Sequence, residues 1–127
     1  MELQPRIWMV LASLSGLMAV AAGAFGAHGV SDPQAKSWLQ TGAQYQLIHA
    51  LAVFACVMLW RLGGTAAQVA AWLFLAGGLL FAGSLYLMAL GAPRLLGVVT
   101  PIGGVLLLLA WGALAWTALA GARGTLV

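Results

Sequence analysis

Four long apolar runs divide the sequence, and they constrain the fold more than any other feature. They cover about 7–27, 43–61, 67–90 and 95–120. A helix needs about 20 apolar residues to cross the hydrocarbon core of a bilayer, so each run can span a membrane. Only 6% of the residues are charged, against about 25% in a typical soluble domain. The sequence therefore predicts an all-α integral membrane protein, with 1–127 as a single transmembrane domain.

The connections between the last three runs are short and contain helix-breaking residues. Glycines occur at 61–66, and both glycine and proline occur at 91–94, where either residue type favours a turn. Loops of this length join helices that are antiparallel neighbours. The sequence therefore predicts an antiparallel bundle of four transmembrane helices.

The connection between the first two runs is longer and carries a helix start of its own. Asp32 followed by Pro33 is typical of an N-cap residue and the first helical position after it. The apolar residues that follow share one face, as in a helix that lies in the membrane interface. We expect a short interfacial helix over about 33–41, which either continues into the second span or ends in a bend at Gly42.

The five basic residues are spread singly along the chain. Arg6, Arg61 and Arg123 fall on the side of the termini, whereas Lys36 and Arg94 fall on the other side. Positive charge is enriched in cytoplasmic segments, so both termini are expected in the cytoplasm. Nucleic-acid binding would require a concentrated basic patch, so we expect no nucleic-acid partner. The first run is too long for a signal peptide and is expected to remain in the mature protein.

Small residues repeat along one face of the first run. Their spacing alternates between 4 and 3 positions, from Ala12 through Gly16, Ala19 and Gly23 to Gly26. In lipid, helices associate by close van der Waals contact, which small residues allow. The third run repeats this pattern with Gly77, Gly83 and Ser84, and the fourth repeats it with Gly104, Leu108 and Gly112. The glycines predicted to pack helices together are Gly16, Gly23, Gly26, Gly83 and Gly104.

The second run begins with a polar patch of Tyr45, Gln46 and His49. The three residues share one side of a helix, and unpaired polar groups are costly in hydrocarbon. The patch is therefore expected to face the interior of the bundle. In the fourth run, Thr100 and Pro101 could start the helix, with Thr100 as its N-cap. Because residues 95–99 are apolar, we instead expect Pro101 to lie within the helix, to kink it and to free the backbone carbonyl of Gly97.

Three interpretations of the patch compete. In the first, His49 forms hydrogen bonds with Tyr86, Ser84 or the carbonyl freed by the kink, and so fixes the helix register. In the second, the patch holds the polar head of a lipid, a quinone or a small solute. In the third, His49 and His28 bind a metal or haem, but their different depths and the lack of further ligands lead us to expect no metal and no cofactor. Both acidic residues of the chain lie outside the spans, so we expect no enzymatic activity.

Four motifs occur in an order that resembles a known family. They are GAFGAHG at 23–29, TGAQYQLIHALA at 41–52, FAGSLY at 81–86 and TPIGG at 100–104, followed by Trp111. The chain resembles the YgdD-like family of small bacterial inner-membrane proteins, which is related to a small transmembrane protein of animal mitochondria. The resemblance covers nearly the whole chain. It implies a four-helix protein of the bacterial inner membrane with no established biochemical activity.

The resemblance also sharpens the set of candidate residues. The family often has serine where Ala82 stands here, so a hydroxyl at that position is not needed for any shared mechanism. The remaining polar positions lead to the hypothesis that one polar pocket forms within the bundle. Its predicted members are Tyr45, Gln46, His49, Ser84, Tyr86 and Thr100. The family's characteristic residues, carried over by position, are Gly23, Phe25, Gly26, His28, Tyr45, Gln46, His49, Gly83, Ser84, Tyr86, Thr100, Pro101 and Gly104.

Two functions remain open from the sequence. The preferred one is a non-enzymatic accessory or stabilising membrane component, which acts by helix packing with further copies of itself or within a larger membrane complex. The alternative is a binding or transport module for a lipid, a quinone or a small solute at the polar patch.

Overall fold

A computed structural model of the chain describes residues 2–125, with side chains up to 120. Within this range it contains four α-helices and one 3-10 turn, Arg94–Val98. Each helix corresponds to one of the predicted spans and is long and apolar enough to cross a membrane. The predicted all-α membrane fold is therefore confirmed. The helices are α1, Leu3–His28; α2, Pro33–Arg61; α3, Ala67–Ala89; and α4, Val99–Thr125.

Helix α2 starts where the sequence predicts and follows the first of the two expected courses, continuing into the second span. The Asp32 carboxylate accepts a hydrogen bond from the backbone N–H of Ala35 at 2.9 Å, and Pro33 occupies the first helical position. The helix then continues without a break through Gly42. The expected interfacial helix at 33–41 is therefore helical, but it forms the first turns of α2 rather than a separate element.

The turns after α2 and α3 each depend on one glycine with a positive φ. Gly63 has φ of 93° and Gly91 has φ of 104°, in the left-handed region that a Cβ disfavours. Both glycines lie in the segments predicted as turns. They allow the chain to reverse within a few residues, so successive helices become neighbours.

The helices pack in chain order. Helix α1 packs against α2, α2 against α3, and α3 against α4, whereas α1 and α4 do not meet anywhere in the described range. In the 18-residue apolar stretch of each helix, 50% of the residues are buried in α2 and 44% in α3, against 17% in both α1 and α4. The bundle therefore has a central α2–α3 pair with one outer helix on each side.

Two apolar clusters fill the space between the helices. The larger one lies toward the end where α1 begins, and Trp8, Val53, Cys56 and Phe74 are almost fully buried in it. There Trp8 packs against Trp60 in a T-shaped arrangement with ring centroids 5.4 Å apart. The smaller cluster lies at the opposite end and contains Leu39, Ala82 and Tyr86. The single cysteine is thus a small packing residue of the core.

The small-residue face of α1 lies against α2. A Cβ built on Gly26 would be 2.9 Å from the Leu39 Cβ, and one on Gly23 would be 3.5 Å from the Ala43 Cβ. Earlier in the helix, a Cβ on Gly16 would meet only a leucine methyl group at 4.0 Å. The two helices therefore approach each other more closely toward the end of α1.

The close approach of α3 and α4 occurs at Gly77, one of the small residues predicted to pack in the third run, and at Gly103, which was not among them. A Cβ on Gly103 would collide with the backbone of Phe81, 2.8 Å from its Cα, and one on Gly77 would be 3.0 Å from the Gly103 carbonyl oxygen. By contrast, a Cβ on Gly83 would meet no atom within 4 Å, and one on Gly104 would make an ordinary 3.9 Å contact. Gly83 and Gly104 therefore do not lie at the closest approach of α3 and α4, which occurs at Gly77 and Gly103.

Candidate functional site

Gln46 and Tyr86 form a buried hydrogen bond between the two central helices. The Tyr86 hydroxyl donates to Oε1 of Gln46 at 2.7 Å, and Gln46 is only 2% exposed. The amide nitrogen of Gln46 in turn donates to the sulfur of Met18 at 3.4 Å. Because Met18 belongs to α1, one side chain of α2 contacts polar atoms of both neighbouring helices.

Ser84 and Thr100 form a second polar pair, between α3 and α4. Their hydroxyl oxygens are 2.6 Å apart, and Ser84 also donates to the backbone carbonyl of Phe81 at 2.9 Å. A serine hydroxyl has one proton, so the Thr100 hydroxyl is the donor between the two side chains. This pair connects the first turn of α4 to the last two turns of α3.

Pro101 does not kink a helix, contrary to the prediction. Residues 94–98 form a 3-10 turn, and α4 begins at Val99, which places Pro101 in its first turn. The N–H groups of a first turn have no partner within the helix, so proline is tolerated there. The carbonyl of Gly97 is therefore not freed by a kink in α4.

His49 is bonded within its own helix. Its Nδ1 lies within hydrogen-bond distance of the Tyr45 carbonyl oxygen, and because a carbonyl only accepts, Nδ1 carries the proton. The predicted partners Tyr86 and Ser84 are occupied elsewhere. The proposed interhelical hydrogen bond of His49 is thus replaced by a local bond, and its ring is free to pack against other helices.

The ring of His49 lies in an aromatic cluster that joins three helices. The cluster consists of Tyr45, His49, Phe74, Phe81 and Trp111. The His49 centroid is 5.9 Å from those of Tyr45 and Phe74 and 6.0 Å from that of Trp111. Tyr45 also stacks on Phe81 at 4.5 Å, and Phe74 meets Trp111 edge-on at 4.9 Å. The histidine is thus 6% exposed among aromatic rings rather than among polar groups.

The six predicted pocket residues therefore divide into three separate contacts. One joins Gln46 to Tyr86, one joins Ser84 to Thr100, and one holds His49 against the backbone of Tyr45. Within the described side chains, no hydrogen bond connects these three groups. The hydrogen bonds thus form one pair between α2 and α3, one between α3 and α4 and one within α2, rather than one connected network.

Sequence reasoning missed the aromatic partners of His49. Phe74 and Phe81 are seven residues apart, two turns on one face of α3, so their shared side could have been recognised. The sequence does not show that Trp111 faces these two phenylalanines, because the rotation of α4 about its axis depends on where that helix begins. Met18 was also missed, since a thioether is a weak acceptor that no polar pattern reveals.

The two histidines lie far apart. His28 is the exposed last residue of α1, close to the start of α2. His49 lies about 24 Å further along the axis of α2. Among the residues that the structure describes, no group of three histidine, cysteine or acidic side chains could hold a metal ion.

An apolar groove runs between α1 and α3, which both pack on α2 but scarcely touch each other. Its volume is about 350 Å³. Leucines and a tryptophan form its walls, and Gln46 is its one amide side chain. Its main lining residues are Leu11, Met18, Gln46, Trp72, Leu75 and Leu79. The groove is the clearest concave surface next to a member of the predicted polar patch.

A family model described as "Protein of unknown function (DUF423)" matches residues 22–104 of this chain. The chain is 39% identical over 111 residues to the UPF0382 membrane protein YwdK of Bacillus subtilis, covering 84% of this chain and 90% of the relative. It is 41% identical over 112 residues to a UPF0382 membrane protein of Haemophilus influenzae, covering 86% and 90%.

A third relative is the UPF0382 inner membrane protein YgdD of Escherichia coli, which is 39% identical over 115 residues, or 84% of each chain. No solved structure matches the chain. The resemblance inferred from the four motifs is confirmed by these matches: the chain belongs to the DUF423 family of membrane proteins.

Proposed function

We propose that this membrane protein is a non-enzymatic accessory or stabilising component, which acts by packing its helices against further copies of itself or against a larger membrane complex. The observation that carries the proposal is the buried hydrogen bond from Tyr86 to Gln46. It uses the polar groups of the patch to join the central helices rather than to hold a ligand.

The remaining polar contacts support the same role. Unpaired polar groups are costly in hydrocarbon, and here Ser84 pairs with Thr100 while His49 donates to the Tyr45 carbonyl of its own helix. Hydrogen bonds of this kind fix how one helix is rotated and shifted against the next. The polar residues thus give the bundle a defined shape.

The outer helices provide the surfaces for association. Leu14, Leu17 and Val20 on α1 and Leu108 and Leu109 on α4 are all more than half exposed. Within a bilayer, these faces contact either lipid or the helices of a partner. Because α1 and α4 lie on opposite sides of the central pair, one copy can contact two neighbours.

Mass spectrometry of the protein purified in mild detergent tests this role. Wild type is compared with His49→Phe, which keeps an aromatic ring in the cluster but removes both ring nitrogens. We expect both forms to carry the same protein partners or the same number of copies, and neither to carry a stoichiometric metal or cofactor. A small molecule present in wild type and absent from His49→Phe would overturn the proposal.

The groove between α1 and α3 favours a second candidate function, the binding of an apolar molecule that carries a carbonyl group, such as a lipid or a quinone. Among the described residues, the Gln46 amide nitrogen has only the weakly accepting Met18 sulfur as partner, although Gln46 is just 2% exposed. A ligand carbonyl would be a stronger acceptor. The variant Gln46→Met tests this function, because methionine keeps the length of the side chain but removes the N–H donor. Loss of a co-purifying carbonyl compound from the variant would support binding at the groove. Retention of that compound would contradict it.

We also propose that the protein lies in the bacterial inner membrane with both termini in the cytoplasm. Arg6 and Arg61 lie at the end where α1 begins and α2 ends, whereas Lys36 and Arg94 lie at the other end. The side chain of Arg123, the third basic residue counted for this side, lies outside the described residues. In the variant Lys36→Cys, a membrane-impermeant thiol reagent added to the periplasmic side should modify the new cysteine. Protection of this cysteine from the reagent would show that the orientation is the reverse of the proposed one.

A further inference from the structure

The beginning of α1 and the end of α2 enclose a cavity that the functions above do not use. Its volume is about 270 Å³, and it is lined by Glu2, Pro5, Trp60 and Arg61. The indole N–H of Trp60 donates to Oε2 of Glu2 at 2.8 Å, which holds the carboxylate at the cavity wall. The other carboxylate oxygen of Glu2 has no hydrogen-bond partner in the described part of the chain.

The cavity contains one charge of each sign. Glu2 and Arg61 both line it, yet no ion pair forms between them within the described residues. Arg61 has no other side-chain partner there either. A ligand with only a negative charge is attracted by Arg61 but repelled by Glu2, and a ligand with only a positive charge is attracted by Glu2 but repelled by Arg61, so neither gains from both residues. The cavity therefore suits a molecule that carries a positive and a negative charge close together.

The position of the cavity indicates where such a molecule comes from. It lies where two membrane-spanning helices end, beside Trp60, and tryptophan is enriched at the level of the lipid headgroups. The buried Pro5 and the ring of Trp60 add an apolar surface next to the charges. Pockets between transmembrane helices that carry a basic residue, as this one carries Arg61, are known to bind the phosphate of lipid headgroups.

We propose that this cavity binds the zwitterionic headgroup of an aminophospholipid, with the phosphodiester on Arg61 and the ammonium on Glu2. The planar guanidinium presents two N–H donors in the spacing that phosphate oxygens accept. The free carboxylate oxygen of Glu2 accepts from the ammonium. The glycerol and the first acyl carbons lie against Pro5 and Trp60, and the acyl chains remain in the bilayer.

Native mass spectrometry with added lipids tests the proposal. The probes are phosphatidylethanolamine, phosphatidylglycerol, phosphatidylcholine and the soluble glycerophosphoethanolamine. We expect wild type to retain phosphatidylethanolamine better than the other three. Arg61→Gln should lower that retention about tenfold, whereas Arg61→Lys should restore part of it because the positive charge returns.

Two further variants separate the parts of the site. Glu2→Gln keeps an oxygen that can accept from Trp60 but removes the charge, so it should abolish the preference for phosphatidylethanolamine over phosphatidylglycerol. Arg94→Gln is the matched control, because Arg94 lies over the Trp38 ring at the other end of the bundle, 5.9 Å from its centroid, and it should change nothing.

Three results would overturn the proposal. Equal retention of phosphatidylglycerol by wild type would show that Glu2 takes no part. An equal loss of lipid in Arg94→Gln would show that retention reflects overall charge rather than the cavity. Equally tight binding of glycerophosphoethanolamine would show that the ligand is a soluble phosphodiester and not a lipid.

Discussion

Single glycines decide how closely the helices of this protein approach each other. Gly103 lies directly against the backbone of Phe81, whereas its neighbour Gly104 faces the edge of the Phe81 ring at an ordinary distance. The two glycines are adjacent in the sequence and have the same helix propensity. Only their rotation about the axis of α4 distinguishes them.

Alanine at Gly103 is therefore expected to destabilise the protein, and alanine at Gly104 is not. Gly103→Ala drives a methyl group into the Phe81 backbone, which should cost about 1–3 kcal/mol of unfolding free energy. Gly104→Ala should change the free energy by less than about 0.5 kcal/mol, or raise it slightly because alanine favours helix. Thermal unfolding in detergent measures both; equal melting temperatures would mean that α3 and α4 do not cross at Gly103.

At the scale of the helices, the start of α2 is set by its capping residue. The Asp32 carboxylate accepts from the Ala35 N–H, and Lys36 reaches back to the Ala27 carbonyl at the end of α1 with its ammonium nitrogen at 3.3 Å. The same short segment thus satisfies one backbone donor of α2 and one backbone acceptor of α1.

Removal of the cap should loosen this helix start. Asp32→Ala loses the acceptor and is expected to lower the free energy of unfolding by about 1 kcal/mol, whereas Asp32→Asn keeps an oxygen at the same position and should stay close to wild type. Hydrogen exchange of the Ala35 amide provides a local readout, with faster exchange in the alanine variant alone. Equal exchange in all three proteins would contradict the assigned cap.

The helices could be predicted from the sequence, but their rotations could not. Apolar length and the aspartate–proline pair located the four spans and the start of α2, because both signals are local. The sequence favours Gly104 over Gly103, because the face of α4 that contacts α3 depends on how the 3-10 turn before Val99 orients the helix. His49 was assigned a partner on another helix, although its own helix offered the Tyr45 carbonyl. Both errors arise where the outcome depends on tertiary packing.

At the scale of the whole molecule, serial packing explains both concave surfaces. Helix α1 packs mainly on α2 and only slightly on α3, so a groove remains open between α1 and α3. A cavity also remains between the beginning of α1 and the end of α2, beside Glu2 and Arg61. A closed bundle, with α1 also packed on α4, would bury more of the outer helices. The open arrangement keeps these faces available for lipid or for a partner.

The central claim is that polar side chains within the membrane join the helices of this bundle, and a double-mutant cycle on the Gln46–Tyr86 pair tests it most directly. The unfolding free energy is measured in detergent for wild type, Gln46→Met, Tyr86→Phe and the double variant. A control cycle combines Gln46→Met with Thr100→Val, which removes a hydroxyl from a different pair.

We predict a coupling energy of about 0.6–2 kcal/mol for the Gln46–Tyr86 cycle, as expected for a hydrogen bond between membrane helices, and additivity within about 0.5 kcal/mol for the control. Additivity in both cycles would contradict the account, because it would mean that the buried pair does not hold the central helices together.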